Sequence, residues 1–395
     1  MAYDRIVKHL GTDGSTVIKT VSDRCTKAWF ELLRKGGCGA GEAVFDYRFD
    51  ERFTASFDVG EYIQFSYQSG VVWYLGRIES VDFNTPQDVT LSLYGMISEL
   101  GEVFPGGRGG GDLDVPHRYA RTDWFVNDPD YSMQTWDLIS QPDQIVDLLW
   151  SQYIGPATNV GLGTTESPSP ATGLESMVFR GQESALAILR QLATVANDAS
   201  YGVDENGDLF FKKRVSTVVD TFREGVDMES LTMTTDRSLM CNSLMVTGDY
   251  IYDPVSAPGF YRYQGVWKNF ASIATYGEIK KEVFLPWIRT NEDALAFAIQ
   301  FFAQYANPTV RHTFRTRPVT GLIKPWDGNV YLLDFPGTSN ATQIFEKIRV
   351  DFDRDVIFEI TSGPEDFYIP AFQQDQRWEI PYDAYRFQAQ PSPSA

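Results

Sequence analysis

Closely spaced carboxylates are the residues of this sequence that most resemble catalytic groups. Asp351, Asp353 and Asp355 recur at every second position, and Glu365 and Asp366 are adjacent. A glycosidase needs two carboxylates that face each other across a cleft. Alternate residues of a β-strand lie on the same face, so this spacing indicates a solvated strand face rather than a catalytic pair.

Two glycine-rich segments could cradle a phosphate group. Gly37-Cys38-Gly39-Ala40-Gly41 resembles a dinucleotide-binding loop, but residues 42–49 alternate like a strand where that motif needs a helix, so we expect a turn. The run at 106–111 lacks the Gly-Lys-Ser/Thr ending of a phosphate loop. We therefore expect a flexible loop there, in which Arg108 is a candidate contact to a neighbouring chain.

Asp204, Asn206 and Asp208 resemble the start of a calcium-binding loop. Leu209 stands where that loop requires glycine, and no glutamate occupies the twelfth position. Because Asn206 precedes Gly207, the segment predicts a tight β-hairpin instead.

Histidine and cysteine chemistry is not supported by the spacing of these residues. His9, His117 and His312 are far apart, and none has a serine or cysteine partner at a recognisable distance along the chain. Three cysteines are scattered without a Cys-x-x-Cys pair, which argues against both a zinc site and a disulfide framework. The sequence therefore predicts no catalytic residue, no cofactor-binding residue, no metal ligand and no enzymatic activity.

Composition favours a large, β-rich and acidic protein. The 395 residues are 43% hydrophobic and 22% charged, which suits two or three domains with full cores. Aromatic residues reach 14%, and 32 glycines with 20 prolines supply many turns. The net charge of −19 repels phosphate backbones and argues against gripping nucleic acid. An acidic surface of this kind favours solubility, or it suits a protein wall past which DNA slides without adhering.

The N-terminal residues lack the apolar core of a signal peptide. No apolar run approaches the roughly 20 residues that a bilayer-spanning helix needs. We expect no membrane insertion by this chain, and assembly in a reducing cytoplasm.

A three-strand pattern occurs twice in the sequence. Each copy has alternating faces, begins with glycine, carries a cation in its second strand and starts its third strand with Asp-Val. The copies occupy residues 60–65, 74–81 and 88–95, and residues 328–335, 344–350 and 355–363. A duplicated β-unit predicts that each chain presents two similar surfaces. A ring of such chains would then contain twice as many β-units as chains. Chance similarity of two short meanders is the alternative.

Three helices are predicted between and within these β-segments. One begins near Pro142 and ends before Gly155-Pro156. The clearest covers Gln182–Asn197, where leucines and alanines recur at helical spacing. The third covers residues 291–305, with Thr290 as its cap.

Three blocks of the sequence, in order between residues 40 and 365, resemble the trimeric tail hub proteins of tailed phages. These are similar to contractile-tail baseplate hubs and to the N-terminal part of type VI secretion spike proteins. The blocks are the meander Gly60–Gly95, the helix and hairpin of Ser184–Leu192 and Tyr201–Leu209, and Asn242–Gly248 followed by Tyr276-Gly277, the 291–305 helix and Leu322–Val330. The family usually has Pro-Gly-Asp before that last valine; here the turn reads Pro325-Trp326-Asp327-Gly328-Asn329.

The resemblance implies a mainly β fold with an α+β insert and two tube-type β-barrel domains. It places the first barrel at residues 1–110, completed by strands from about 206–237, and the insert at 111–205. The second barrel then covers residues 238–365, including the 291–305 helix, and a C-terminal extension with a disordered tail covers 366–395.

The resemblance also implies a structural virion protein of the tail tip or baseplate, assembled in the host cytoplasm. Three chains would present six barrels to a hexameric tail tube or distal tail protein, and a threefold face to a tail spike or fibre. A tape measure protein is a further candidate partner. DNA would pass through a central channel without specific binding, so we expect carboxylates to outnumber Lys and Arg on its wall.

Two alternatives stay open at this stage. One is the hub of a contractile injection system or gene-transfer particle, with the same fold. The other is a β-rich glycan-binding or glycan-degrading tail protein, whose aromatic residues would stack on sugars: Tyr250, Tyr252, Phe260, Tyr261, Tyr263 and Trp267.

Overall fold

A computed structural model describes residues 5–47, 57–67, 70–84, 87–105, 124–125, 141–166, 178–179, 183–196, 199–253, 259–285, 288, 290–318, 321–335, 340–353 and 355–364. The Gly106–Gly111 run with Arg108, His117, the Glu365-Asp366 pair and the C-terminal extension lie outside these residues.

The described chain is mainly β, which confirms the predicted fold class. Its strands are β1 (Arg5–Leu10), β2 (Val17–Thr20), β3 (Cys25–Leu33), β4 (Lys35–Asp46), β5 (Tyr62–Tyr67), β6 (Val71–Phe83), β7 (Asp88–Gly95), β8 (Trp124–Phe125), β9 (Gly161–Thr165), β10 (Val178–Phe179), β11 (Ser200–Val203), β12 (Asp208–Lys212), β13 (Val218–Arg223), β14 (Met228–Asp236), β15 (Ser243–Asp253), β16 (Gly259–Lys268), β17 (Lys280–Phe284), β18 (Thr309–Thr316), β19 (Asn329–Leu333), β20 (Ala341–Gln343), β21 (Phe345–Asp351) and β22 (Ile357–Ser362).

Four α-helices of a full turn or more accompany the strands: α1 (Pro142–Leu149), α2 (Ala185–Val195), α3 (Phe270–Tyr276) and α4 (Asn291–Tyr305). A 3-10 turn covers Met96–Gly101, and α1 continues through a π-helical turn at Trp150–Ile154 into a short helical turn at Gly155–Ala157. The predicted helices are confirmed in position, except that the first continues through Gly155-Pro156, where its end was predicted. Thr290 caps α4 as predicted, by accepting from the Asp293 amide, and Ser184 caps α2 by accepting from the Ala187 amide.

The described residues form two compact units. The first comprises residues 5–234 with 311–363, and the second comprises residues 235–310. This division differs from the predicted boundary, which placed 238–365 in one barrel, because residues 311–363 pack with the first unit. The helix α4 consequently belongs to a separate unit, and the number of barrels stays a prediction.

The sheet of the first unit follows the order β14-β18-β22-β21-β3-β4-β7-β6-β5-β1-β2. Its strands alternate as the sequence predicts: in β7, Val89, Leu91 and Leu93 are buried while Thr90 and Ser92 face the other side. This alternation gives the sheet one apolar face and one polar face.

The two predicted meanders have the same strand connections. In the first, β6 pairs its first half with β5 and its second half with β7, and β7 also pairs with the preceding strand β4. In the second, β20 pairs with β19, its continuation β21 pairs with β22, and β22 also pairs with the preceding strand β18. Beyond β4 lies β3, and beyond β18 lies β14.

In order of pairing, the first strand set is therefore β5-β6-β7-β4-β3. The second is β19-β20/β21-β22-β18-β14, in which β20 and its continuation β21 together take the place of β6. They differ in two respects: β19 and β20 of the second set pair with β13 in a separate three-stranded sheet, and the outer pairs are joined differently. A single residue, Arg34, separates β3 from β4, whereas residues 237–308 separate β14 from β18. Most of the second unit is thus an insertion into a hairpin of the second strand set.

Aromatic side chains from both strand sets share one core. Phe30 and Tyr74 lie 4.9 Å apart between ring centroids, and Phe65 lies 5.2 Å from Phe352 of the second set. All four are fully buried. Burial of such side chains contributes about 1.5–3 kcal/mol each, so the two strand sets stabilise each other as one body.

The glycines at 37–41 lie inside β4, and the predicted turn is wrong. They are in the strand because the hairpin strand β11 runs parallel to the start of β4, pairing Val203 with Gly37. Gly37 has a φ of 72°, and a Cβ there would lie 2.0 Å from the Val203 carbonyl oxygen. The segment is glycine-rich to admit a neighbouring backbone, not to bind a nucleotide.

The hairpin of β11 and β12 also contacts the unusual turn at Pro325–Asn329. Trp326 stacks on Phe210 at 5.0 Å, and Lys324 donates to the buried carboxylate of Glu205. The departure from the family's Pro-Gly-Asp pattern therefore has a structural role, because Trp326 is a buried core residue.

The second unit is a three-stranded sheet, β16-β15-β17, with α4 packed on one face. Leu244, Val246 and Val283 of the sheet contact the apolar stripe of α4, which includes Phe297 and Phe301. The buried stripe of α4 is the one that its helical spacing predicts.

Candidate assembly surface

The two strand sets meet edge to edge where β3 pairs with β21. The pairing is antiparallel and brings Leu33 opposite Lys347 and Trp29 opposite Asp351. One continuous sheet results, which joins all strands of the first set to β21, β22, β18 and β14 of the second.

A buried ion pair lies at this seam. Arg34, between β3 and β4, donates from Nε to Glu346 Oε2 at 2.8 Å and from Nη2 to Oε1 at 3.0 Å, and its backbone amide donates to the Glu346 carbonyl. Both residues are only 2% exposed. A two-bond pair of this kind fits one register alone, because a slip by one residue would leave both charges buried without a partner.

The polar face across the seam carries charges of alternating sign. The register aligns Glu31 of β3, Arg349 of β21, Glu359 of β22 and Arg315 of β18 in one row. Asp351 in the next row accepts from Arg315 at 2.6 Å and lies 3.4 Å from Arg349. Opposite charges on neighbouring strands stabilise the pairing, and they also neutralise each other.

Two further contacts extend this charge row. Lys347 Nζ lies 2.6 Å from Glu31 Oε1, and the guanidinium of Arg349 lies 4.0 Å from the centroid of the Trp29 ring. The cations of this face are therefore held by carboxylates or an aromatic ring.

Two of the carboxylates singled out by sequence have structural contacts. Asp351 belongs to the charge row, and Asp353 accepts from the Ala28 amide at 3.3 Å. The hairpin prediction at Asp204 is confirmed: its Oδ1 accepts from the amides of Asn206 and Asp208 and closes the turn.

The two histidines within the described residues have structural contacts. His9 Nε2 lies 2.6 Å from Glu61 Oε2, and its ring packs on Phe57 at 4.8 Å. His312 is fully buried, with Phe335 edge-on at 5.5 Å.

The cysteines are all buried and reduced. Burial raises the pKa of the Cys25 thiol to about 11 and raises the pKa of Cys38 still further. Both are protonated and unreactive at neutral pH in the folded chain.

Across the described residues, no group of three or more His, Cys, Asp or Glu side chains is arranged to hold a metal ion. The helices in this same part of the chain are all too short or too polar to cross a membrane.

Free strand edges lie at both ends of the long sheet. Among the described strands, β2 pairs with β1 alone and β14 with β18 alone. Val17 is 51% exposed and Ile18 49% exposed on β2, and most of β14 is exposed. Soluble proteins protect such edges with short strands, charge, proline or bulges. β2 has only four residues, whereas β14 has nine, so the edge of β14 is the more open to pairing with another strand.

Two aromatic residues considered for sugar stacking face the interior of the second unit. Tyr263 is buried and donates to Asn291 Oδ1 at 3.0 Å, and Trp267 packs against the same core. The side chains at 250, 252, 260 and 261 lie outside the described ones. The described geometry therefore gives the glycan-binding alternative no support.

No protein-family model matches the sequence, and no curated protein matches it. Solved structures do match over nearly their whole length. The tail protein of Neisseria meningitidis MC58 aligns with a TM-score of 0.63 at 11% identity, covering 92% of this chain and 97% of that one. The 43 kDa tail protein of prophage MuSo2 from Shewanella oneidensis aligns with a TM-score of 0.59 at 11% identity, covering 91% and 97%.

The chain has the fold of phage tail proteins. Prophage tail protein gp18 from Listeria monocytogenes EGD-e agrees, with a TM-score of 0.56 at 10% identity over 96% of this chain and 99% of that one. The predicted resemblance to the tail-protein family is thereby confirmed at the level of the fold. At identities this low, the tail-protein fold is kept by strand order and burial pattern rather than by particular residues.

Sequence reasoning missed the two features that define the seam of this tail-protein fold. Arg34 and Glu346 are 312 positions apart, and no local pattern links them. The charge row had one signal, the alternation of Lys347, Arg349 and Asp351 on one strand face, but its partners lie on strands that only folding brings alongside.

Proposed function

We propose that the protein is a structural hub of a phage tail tip or baseplate, working as a homotrimer around a central channel. The observation that carries the proposal is the matching connectivity of the two strand sets and their union in one sheet at β3 and β21. The tail-protein fold supports a tail role, and the duplicated surface supports the adaptor role within it.

The physical basis is symmetry matching. One chain shows two similar surfaces side by side, so three chains show six and imitate a sixfold neighbour. One face of the ring then contacts a hexameric tail tube or distal tail protein. The large insertion that distinguishes the second set from the first occurs once in each chain, so a trimer carries three of them, which matches a threefold spike or fibre.

The free edges supply a way to close the ring. In a head-to-tail contact, β14 of one chain pairs with β2 of the next, and the backbone groups of both edges find partners. Because the two edges are the opposite ends of one sheet, three copies continue it around the axis. This is a heterologous contact, which closes when the rotation between copies is 120°.

The polar face of the sheet is the proposed channel wall. Around the seam it carries the carboxylates of Glu31, Glu42, Asp351 and Glu359 beside the cations Lys27, Arg311, Arg315, Lys347 and Arg349, so opposite charges are close to balanced. Arg315, Lys347 and Arg349 are each engaged within the sheet, which leaves fewer cations to hold the phosphates of passing DNA.

In this proposal the chain performs no chemistry of its own. Its partners are copies of itself, the tail tube or distal tail protein, a spike or fibre protein and, as a further candidate, a tape measure protein. It resides in the virion after assembly in the host cytoplasm.

The decisive experiment is electron microscopy of the assembled particle, with this chain located by a tag on residue 395. Three copies around the axis, between a sixfold and a threefold layer, are expected. Six copies, or a peripheral position away from the axis, would contradict the proposal.

A further inference from the structure

The short helix α3 is held almost entirely by polar contacts. The fully buried Asn242 donates to Ser272 Oγ at 3.1 Å and to the Gly277 carbonyl at 2.7 Å, and it accepts from the Ile279 amide. Ser272 donates in turn to the Ala306 carbonyl. Since these bonds fix both the middle and the end of α3, its apolar side chains are not needed to anchor it.

The apolar side chains of α3 point away from the unit. Phe270 is 75% exposed, the highest value among the large apolar residues of the described chain, and Tyr276 is also exposed. Val266, on the strand that leads into α3, is exposed as well. A rigid, solvent-facing aromatic on a fixed helix is the kind of residue that dominates protein interfaces.

Cations surround this apolar surface. Lys268 and Lys280 flank Ser243 on either side in the sheet, and Arg237 donates to the Tyr276 carbonyl at 3.1 Å. Glu278, which lies 2.9 Å from Lys268, is the acidic member of the group. Residues 235–310 contain seven acidic and six basic residues, so nearly all of the −19 net charge lies elsewhere in the chain.

A complementary surface exists in the first unit. Val226, at 70%, is the second most exposed large apolar residue of the described chain, and it sits at the tip of a turn between β13 and β14. Asp227 accepts from the Arg223 amide at 2.7 Å, and the Glu224 amide donates to the Leu333 carbonyl, so the turn is also fixed. Glu224 and Asp227 are its acidic members, and the one cation of the turn, Arg223, lies 3.5 Å from the carboxylate of Asp334.

We propose that the Phe270 surface of one copy of this chain docks on the Val226 turn of the next copy. The occupant is a second copy because the same chain supplies both an apolar centre with cations and an apolar centre with carboxylates. Val226 also lies two residues before β14, the edge at which the proposed ring closes. The inference rests on the proposed trimer and adds the second contact between neighbours.

Disulfide trapping between full-length chains tests this contact. Chains carrying Phe270→Cys are mixed with chains carrying Val226→Cys and oxidised, and the products are resolved by non-reducing electrophoresis and mass spectrometry. The native cysteines are buried and do not compete. We expect the mixture to give about tenfold more linked dimer than a matched mixture in which Val59→Cys, also on an exposed valine, replaces Val226→Cys.

Charge reversal provides an independent readout. Lys280→Glu or Glu224→Lys alone should each weaken association severalfold in sedimentation experiments at low salt, and the double variant Lys280→Glu/Glu224→Lys, which restores opposite charges at every contact of the ring, should recover it. Additive weakening, or trapping no better than the Val59 control, would overturn the inference.

A second pair separates this inference from the proposed hub. A disulfide between Ile18→Cys on β2 of one copy and Met233→Cys on β14 of the next reports the proposed edge-to-edge contact of the ring directly. If that pair links while Phe270 and Val226 do not, the trimeric hub stands and the additional contact is refuted. If neither pair links in assembled particles, both are refuted.

Discussion

Arg34 and Glu346 form a two-bond ion pair, closed to solvent, across the seam between the two halves of the sheet. The pair joins a tight turn of the first strand set to β21 of the second. This ion pair fixes the two strand sets against each other, because neither partner can move without leaving the other charge buried and unpaired.

Removing one member of this pair should destabilise the fold strongly. We expect Glu346→Leu to lower the free energy of unfolding by about 3–5 kcal/mol, because Arg34 is left buried and unpaired. The double variant Arg34→Met/Glu346→Leu should recover much of that loss. Chemical denaturation measures both, and equal losses in the single and double variants would show that the charges do not act as a pair.

The glycine at position 37 should be irreplaceable for a steric reason. Gly37→Ala adds a Cβ 2.0 Å from the Val203 oxygen in addition to the cost of a positive φ. Gly60→Ala is the matched control, since Gly60 has a φ of 94° but no atom within 4 Å of its Cβ position. We expect about 1–2 kcal/mol of destabilisation at Gly60 and clearly more at Gly37. Similar destabilisation at both sites would show that the positive φ, and not the close contact with Val203, causes the whole effect.

Neutralising the carboxylates of the charge row should turn a non-adhesive face into one that binds DNA. In Asp351→Asn/Glu359→Gln, Arg315 and Arg349 lose the carboxylates that they contact, while Glu31 keeps its contact with Lys347. We expect salt-sensitive retention of duplex DNA, with log K falling against log salt at a slope of about −2 for two freed cations. Asp220→Asn/Glu224→Gln, which makes the same charge change on another surface, is the control. Equal DNA retention by both variants would argue against this face as the channel wall.

Burial of Cys25 should make stability fall in alkaline solution. The thiol pKa is raised from 9.0 to about 11 in the folded chain, so between these values the unfolded chain ionises while the folded chain keeps its proton. The free energy of unfolding then falls as pH rises, by up to about 1.4 kcal/mol per pH unit for one such group. Cys25→Ala should show a shallower decline between pH 9 and 11 in denaturation curves. An unchanged pH dependence in Cys25→Ala would show that other titrating groups cause the loss of stability.

A charge on the free edge should block assembly and spare the fold. Ile18→Lys places a cation on the exposed strand β2, where the backbone is proposed to pair with a second copy. We expect an unchanged melting temperature and loss of trimers in mass measurements at assembly concentrations. Val59→Lys, at a still more exposed valine outside this strand, should trimerise normally. Trimers formed by Ile18→Lys would rule out closure through β2.

Local patterns predicted the elements of this protein well. The alternation in β7, the Asn206-Gly207 turn and the Thr290 cap each depend on neighbours within a few residues, and each is found as expected. The glycines at 37–41 misled for the same reason: Gly37 admits the backbone of Val203, which is remote in sequence. The compact units likewise divide differently from the predicted boundary at residue 238, because the partner of β21 is β3, more than 300 residues upstream.

The order of hydrophobic and polar residues determined, by itself, that this chain forms two meanders and several capped helices, since side-chain periodicity acts over one or two turns or strands. Only the tertiary structure decided which edges meet. Strand pairing is made by backbone groups that every residue shares, so the choice of partner depends on packing and on rare specific pairs such as Arg34 with Glu346, which no local pattern encodes.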